Sequence, residues 1–110
     1  MSAFPSILMT ANGNSVPLII DMTAVPYFGS TPGYALGLIC TVSPGASLIY
    51  AVQVTGDQKP VANGNWNNHD VVVAQTGSVN SNIAYPITGL RLNVTSYVSG
   101  SVNLGVVRWP

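Results

Sequence analysis

The sequence predicts an all-β protein: a single antiparallel β-sandwich domain over residues 1–110, jelly-roll-like, with seven or eight strands. Three observations predict it. Short runs alternate apolar and polar residues with a period of two. Those runs are rich in Val, Ile, Thr and Tyr and are bounded by turn residues. Glu is absent, while Gly and Pro occur 11 and 8 times, so no stretch has the composition of a helix.

Residues 1–12 read either as an extended N-terminal arm or as a further strand. "VPLIID" follows, and Pro17 marks it as an edge strand. "AVPYFGSTPG" is a loop broken by Pro26, Pro32 and two glycines. "YALGLICTV" is an apolar strand. In "SLIYAVQVT", Leu48, Tyr50, Val52 and Val54 share one face, and Ser47, Ala51, Gln53 and Thr55 take the other. "DVVVAQ" is a weaker strand, and "NIAYPI" is bent by Pro86. "GLRLNVT" turns Leu90, Leu92 and Val94 inward, with Arg91, Asn93 and Thr95 outward. "SVNLGVV" repeats the pattern with Val102, Leu104 and Val106, and the "SYVSG" between them reads as a hairpin turn closed by Gly100. Arg108 falls on the parity of Val106, so a bulge or the strand end must release it.

Charge is the unusual quantity. Charged residues make up 5% of the chain, against about 25% in an ordinary soluble domain. With 47% hydrophobic residues and clear periodicity, low charge points to a packed fold rather than disorder. A near-neutral surface also lacks the repulsion that keeps monomers apart, which suits a protein packed against neighbours. The net charge of zero argues against nucleic acid, which basic side chains must neutralise, and against a polybasic membrane anchor. No apolar run approaches the length of a spanning helix, and the N-terminal residues show neither a basic start nor an h-region, so no signal peptide is expected. The single cysteine, Cys40, lies in an apolar run and reads as a small hydrophobe.

Four of the seven Asp, Lys, Arg and His residues sit in "GDQKPVANGNWNNHD": Asp57, Lys59, His69 and Asp70. Asp57, His69 and Asp70 are the candidates for metal ligands, and His69 for a general base beside a carboxylate. Neither reading has a recognised spacing. "ANGNWNN" consists of residues that bond their own backbone in turns, so the expectation is a solvated recognition loop at one end of the sandwich, with Trp66 as its packing anchor. No Ser stands in Gly-x-Ser-x-Gly, and a Cys40–His69 pair would place the thiolate mid-strand among apolar residues. A glycosidase would need two of Asp21, Asp57 and Asp70 to converge. No catalytic, cofactor or metal residue is therefore expected. Tyr27, Phe28, Tyr34, Trp66, Tyr85, Tyr97 and Trp109 could stack on sugars or belong to the core or to an interface. The sequon at Asn93 lies inside a strand and reads as chance. Trp109, beside Arg108 and with no polar tail after it, is expected to be covered by a partner.

"PITGLRLNVTSYVSGSVNLGVVRW" resembles the closing hairpin of small structural proteins of tailed bacteriophages. In them a Pro-initiated strand of the form "xLRLxVTxYxSG" turns into "SVxLxVxx". Upstream, "ASLIYAVQVTGD", followed by a Trp and a polar loop, is similar to the preceding strand of those proteins. The resemblance runs from Ala46 to Trp109, and residues 1–45 match no known pattern. It implies a non-enzymatic virion protein, of the capsid decoration (cement), neck, tail, baseplate or fibre type. The expected protein is a decoration protein, assembled in the host cytoplasm as a homo-oligomer. It binds the major capsid protein or other virion proteins, and neither nucleic acid nor membrane. Its candidate interface is Phe4, Ile7, Leu8, Tyr27, Phe28, Arg108 and Trp109. A glycan- or receptor-binding module built on Trp66 is the alternative from another class.

Overall fold

The structure, a computed structural model, describes residues 6–19, 27–28, 31–32, 36–83 and 87–108, with the backbone alone at 27–28, 31–32 and 108. Among them there is no helix. The strands are β1 (Ser6–Met9), β2 (Gly13–Asn14), β3 (Leu18–Ile19), β4 (Tyr27–Phe28), β5 (Thr31–Pro32), β6 (Leu36–Val42), β7 (Ser47–Thr55), β8 (Asn67–Asn68), β9 (Val79–Ile83), β10 (Gly89–Ser99) and β11 (Val102–Arg108).

These form two antiparallel sheets. The first has the order β1-β11-β6-β9, and the second β2-β10-β7-β8, with β3 also paired to β10. β4 and β5 make a separate two-stranded ribbon. The all-β expectation therefore holds, with more and shorter strands than the sequence indicates. Of the two readings of residues 1–12, Ser6–Met9 takes the strand: it lies antiparallel to β11 at the edge of the first sheet. The Pro17 segment likewise supplies only the short strand β3.

The core lies between the sheets. Leu38, Cys40, Leu104 and Val106 come from the first sheet, and Leu48, Tyr50, Val52, Leu90 and Leu92 from the second. These are the residues that the period of two turns inward, because successive side chains of a strand point to opposite faces. Burying each large apolar side chain contributes about 1.5–3 kcal/mol. Tyr50 is wholly buried, and its hydroxyl donates to the Gly77 carbonyl at 2.7 Å, which removes the cost of burying an unpaired phenol.

The expected hairpin between the last two strands is a corner instead. β10 pairs with β7, and β11 pairs with β6 and β1, so the chain crosses from one sheet to the other at Gly100. The turn between β6 and β7 crosses at the same end, and the two corners interlock. Ser43 N–H donates to the Ser101 carbonyl at 3.0 Å, and Ser101 N–H donates to Ser43 Oγ at 3.0 Å. Gly100 has φ +92°, and a Cβ there would overlap Ala46. Only glycine fits both demands.

β10 also runs farther than its alternation implies. A register shift after Val94 inserts one extra residue, a β-bulge. Tyr97, which unbroken alternation would turn outward, thereby packs against the core, and its hydroxyl donates to the Gly100 carbonyl at 2.9 Å.

"DVVVAQ" is not a strand. Residues 70–74 form bends, Ala74 takes φ 53°, and only Gln75 returns to bridge Tyr50. The run from Asn67 to Gln75 thus follows β7 as an irregular sheet edge, the device that stops edge-to-edge pairing with other chains.

Candidate functional site

The two outward faces of the sandwich differ in kind. On the first sheet the registers align three rows: Leu8–Asn103–Thr41, Ser6–Gly105–Ile39–Asn80 and Val107–Gly37–Asn82. No row contains a charged residue. Leu8 is 64% exposed and Ile39 41%, and Val107 is exposed beside them. Glycine in a strand interior weakens the strand and recurs where another surface approaches closely. Here packing within the chain does not require it. A Cβ at Gly37 would sit 3.6 Å from the Val107 Cβ, and one at Gly105 3.7 Å from the Ile39 carbonyl oxygen, both ordinary contacts. The two glycines flatten the middle of an uncharged face.

The outward side of the second sheet also exposes apolar side chains, Ile19, Ile49 and Val98, but around Arg91 it is polar and fixed by hydrogen bonds. Arg91 points outward on β10 as its parity requires, yet it is only 6% exposed. Trp66 lies over it, with the guanidinium carbon 4.2 Å from the ring centroid, a cation–π stack. Arg91 Nε donates to Gln53 Oε1 at 2.8 Å and Nη1 to the Ala62 carbonyl at 3.1 Å. Gln53 Nε2 passes the chain on to Asn68 Oδ1 at 3.1 Å. Trp66 is held from its other end, its Nε1 donating to the Val61 carbonyl at 2.9 Å. Burial lowers the Arg91 pKa from its ordinary value.

The loop joining β7 to β8 carries the charged stretch, and it is ordered rather than merely wet. Asp57 accepts from the Asn65 backbone N–H at 2.8 Å and from Asn65 Nδ2 at 3.2 Å, which closes the loop on itself. These bonds hold the Asp57 carboxyl below the usual carboxylate range. Thr88 Oγ1 donates to the Asp57 carbonyl and so ties the loop to the residue before β10. Lys59 and Asp70 are exposed, as expected of them.

His69 is the correction. At 2% exposure it is a buried residue, not part of a solvated loop. Its Nδ1 accepts from the Val71 and Val72 backbone N–H groups at 3.1 and 3.0 Å. Nδ1 therefore carries no proton, and Nε2–H donates to the Asn82 carbonyl at 2.9 Å. Both ring nitrogens are engaged. The side chain replaces the ladder partners that the bend at 70–74 loses, and it clips the edge of the second sheet to β9 in the first. Asp70 Oδ1 lies 3.5 Å from Nε2 but is itself exposed. No three of His, Cys, Asp and Glu converge among the described residues. Asp57 bonds to Asn65, and both ring nitrogens of His69 are engaged by backbone groups.

Cys40 is buried on β6, with its thiol pushed up to about 11, chiefly by burial and against the opposing effect of a hydrogen bond with Tyr50. It is a protonated core residue, not a nucleophile paired with His69. The sequence could not reveal the engagement of His69, because its partners, Val71, Val72 and Asn82, carry no side-chain signal.

Of the candidate interface residues, Ile7 packs against the core and Leu8 alone of that pair faces outward. Tyr27 and Phe28 form β4, and Arg108 ends β11 opposite Leu36. The side chains of those three, and all of Phe4, Asp21, Tyr34, Tyr85 and Trp109, lie outside the described residues. No helix of the described residues is long and apolar enough to cross a membrane. Comparison with known proteins adds no relative: no family model, no curated protein and no solved structure matches the chain.

Proposed function

We propose that the chain is a non-enzymatic structural protein of a phage virion, a decoration protein that docks on the outer shell through the outward face of its first sheet. The observation that carries this reading is that face: four strands wide, without charge, carrying exposed Leu8, Ile39 and Val107, and flattened by Gly37 and Gly105. Removing such a face from water is favourable by about 25 cal/mol per Å² and requires no charge to be desolvated. Its docked partner is the major capsid protein, with neighbouring copies of the chain completing a homo-oligomer. A protein that binds the assembled shell and not its separated subunits stabilises the shell by the free energy of binding.

The strand order supports a jelly roll. Taking β2 and β3 as one interrupted strand, the principal strands pair first with eighth (β1·β11), second with seventh (β2 and β3·β10), third with sixth (β6·β9) and fourth with fifth (β7·β8). A ribbon of those four antiparallel pairs, rolled up, gives the two sheet orders of this chain. Jelly rolls serve capsids and lectins alike, so the architecture is compatible with the docking reading and does not select it.

The test is the copy number of the chain in purified particles of the encoding phage, by quantitative mass spectrometry against the major shell protein. A number comparable to the shell subunit supports decoration. A number an order of magnitude lower moves the protein to the neck, tail or fibres, and absence from particles overturns the virion reading.

A further inference from the structure

We infer that His69 is an acid-sensitive clasp: a proton on its Nδ1 releases residues 70–75 from the edge of the second sheet. The clasp holds only with a neutral ring. Nδ1 accepts from two backbone donors, Val71 N–H at 3.1 Å and Val72 N–H at 3.0 Å. A proton placed on Nδ1 takes its lone pair and points a third donor at those two. Nε2 offers no alternative, because it already donates to the Asn82 carbonyl at 2.9 Å. Turning the ring over does not help, since both nitrogens of an imidazolium are donors. At 2% exposure the site admits no water to replace the lost acceptor.

The groups around the ring do not offset this. Asp70 Oδ1, 3.5 Å from Nε2, attracts an imidazolium, but its side chain is 83% exposed and the attraction is screened by water. β8 and β9 carry no titratable side chain. Those of β7 and β6 are Tyr50 and Cys40, which burial keeps protonated, so neither supplies a counter-charge. What the clasp holds is a short ladder. Val52 N–H donates to the Val72 carbonyl at 2.9 Å, and Tyr50 and Gln75 exchange N–H bonds at 3.0 and 2.9 Å. Within that segment Ala74 takes φ 53°, a costly backbone for a residue with a Cβ. Release uncovers the wholly buried Val72 and frees the Tyr50 and Val52 N–H groups of β7, an edge open to pairing. The sensor is single. The chain has one histidine and no glutamate, so at ordinary values no other side chain changes charge between about pH 5 and 8. The released ring binds a proton that the closed clasp excludes. Closure is therefore favoured above the imidazole range and lost by about tenfold per pH unit below it.

The experiment is amide hydrogen exchange by NMR on the isotope-labelled chain at about pH 7.5 and about pH 5, on either side of the imidazole range. Each rate is divided by that of an unstructured amide at the same pH, and the ring-nitrogen shifts of His69 are recorded alongside. At neutral pH the ring should show a bare Nδ1 and a protonated Nε2. In acid the protection of the Val71, Val72 and Gln75 amides should fall by about tenfold or more, in step with the imidazolium signal, while the amides of β10 keep theirs. His69→Gln retains an acceptor and a donor but takes no proton, so its exchange at these three amides should be the same at both pH values. Asp70→Asn should keep the acid response. Where His69→Gln does not fold, the ring signals and exchange of the unaltered chain decide. The proposal is overturned if acid leaves the three amides protected, if the ring becomes imidazolium while they stay protected, or if β10 loses protection equally. The same acid response in His69→Gln, or its loss in Asp70→Asn, also overturns it.

Discussion

The outward faces of the two sheets were built from similar strands and both expose apolar side chains, but only the second carries a charge held in a hydrogen-bonded cluster. The first presents Leu8, Ile39, Val107, asparagines and two glycines with no charge and little to hold any side chain in place. The second presents Arg91, Gln53 and Asn68 in a hydrogen-bonded row under Trp66. Both have a period of two and a buried inner side, so alternation does not distinguish them. The difference is in where the polar groups find partners. Around Arg91 on the second sheet they bond to one another, which makes a rigid, self-sufficient patch. On the first, the apolar side chains meet only water, and burial against another surface is the favourable outcome.

That contrast depends on the two sheets staying in register, and the largest expected effect comes from parting them. Gly100→Ala would combine an unfavourable positive φ with overlap on Ala46, whose Cα lies 2.7 Å from the added atom. Thermal or urea unfolding should register a loss of about 2–4 kcal/mol. His69→Ala would unclip the other edge, leaving the Val71 and Val72 N–H groups and the Asn82 carbonyl without their partner. A loss of about 2–3 kcal/mol is expected, together with faster hydrogen exchange at residues 70–74. Unchanged exchange there would mean that the histidine holds nothing.

Smaller changes sharpen the contrast between the faces. Ile39→Lys should leave the stability of the isolated chain within about 0.5 kcal/mol, since Ile39 is exposed, while abolishing binding to shells in a sedimentation assay. Gly105→Ala should be neutral or stabilising by up to about 1 kcal/mol in the isolated chain, because the added Cβ meets only ordinary contacts, and should weaken shell binding. Shell binding unaffected by either substitution would remove this face from the docking reading. The smallest expected effect is titration of Cys40. Its folded pKa is raised above the ordinary 9.0 to about 11, so the stabilising contribution is fully present below pH 9 and is lost as pH rises through 11. At neutral pH the native thiol should resist alkylation and become reactive only in denaturant.

The inner face of the sandwich was legible because it follows from period alone. Leu48, Tyr50, Val52 and Val54, and likewise Leu90, Leu92 and Val94, are buried as their alternation requires. Arg91 shows the limit. Its outward direction was legible, but its burial depends on Trp66, which arrives from a loop some 25 residues earlier in the chain. His69 was read as part of a wet loop because its neighbours are polar, whereas its partners are backbone atoms that any sequence would supply. The closing hairpin was misread for a related reason. Two alternating strands around a glycine look the same whether they pair with each other or turn a corner into different sheets, and the interlock with Ser43 and Ala46 decides between them.

The sequence by itself determined the strand composition, the inward-facing side chains and the scarcity of charge. All three are local or additive properties: side-chain direction repeats every two residues, and composition needs no coordinates. The tertiary structure alone decided which strands share a sheet, which polar groups are buried and which face is left uncharged and flat. Those outcomes depend on contacts between residues far apart in the chain. A buried imidazole or guanidinium is stable only where distant carbonyl, amide and aromatic groups meet it.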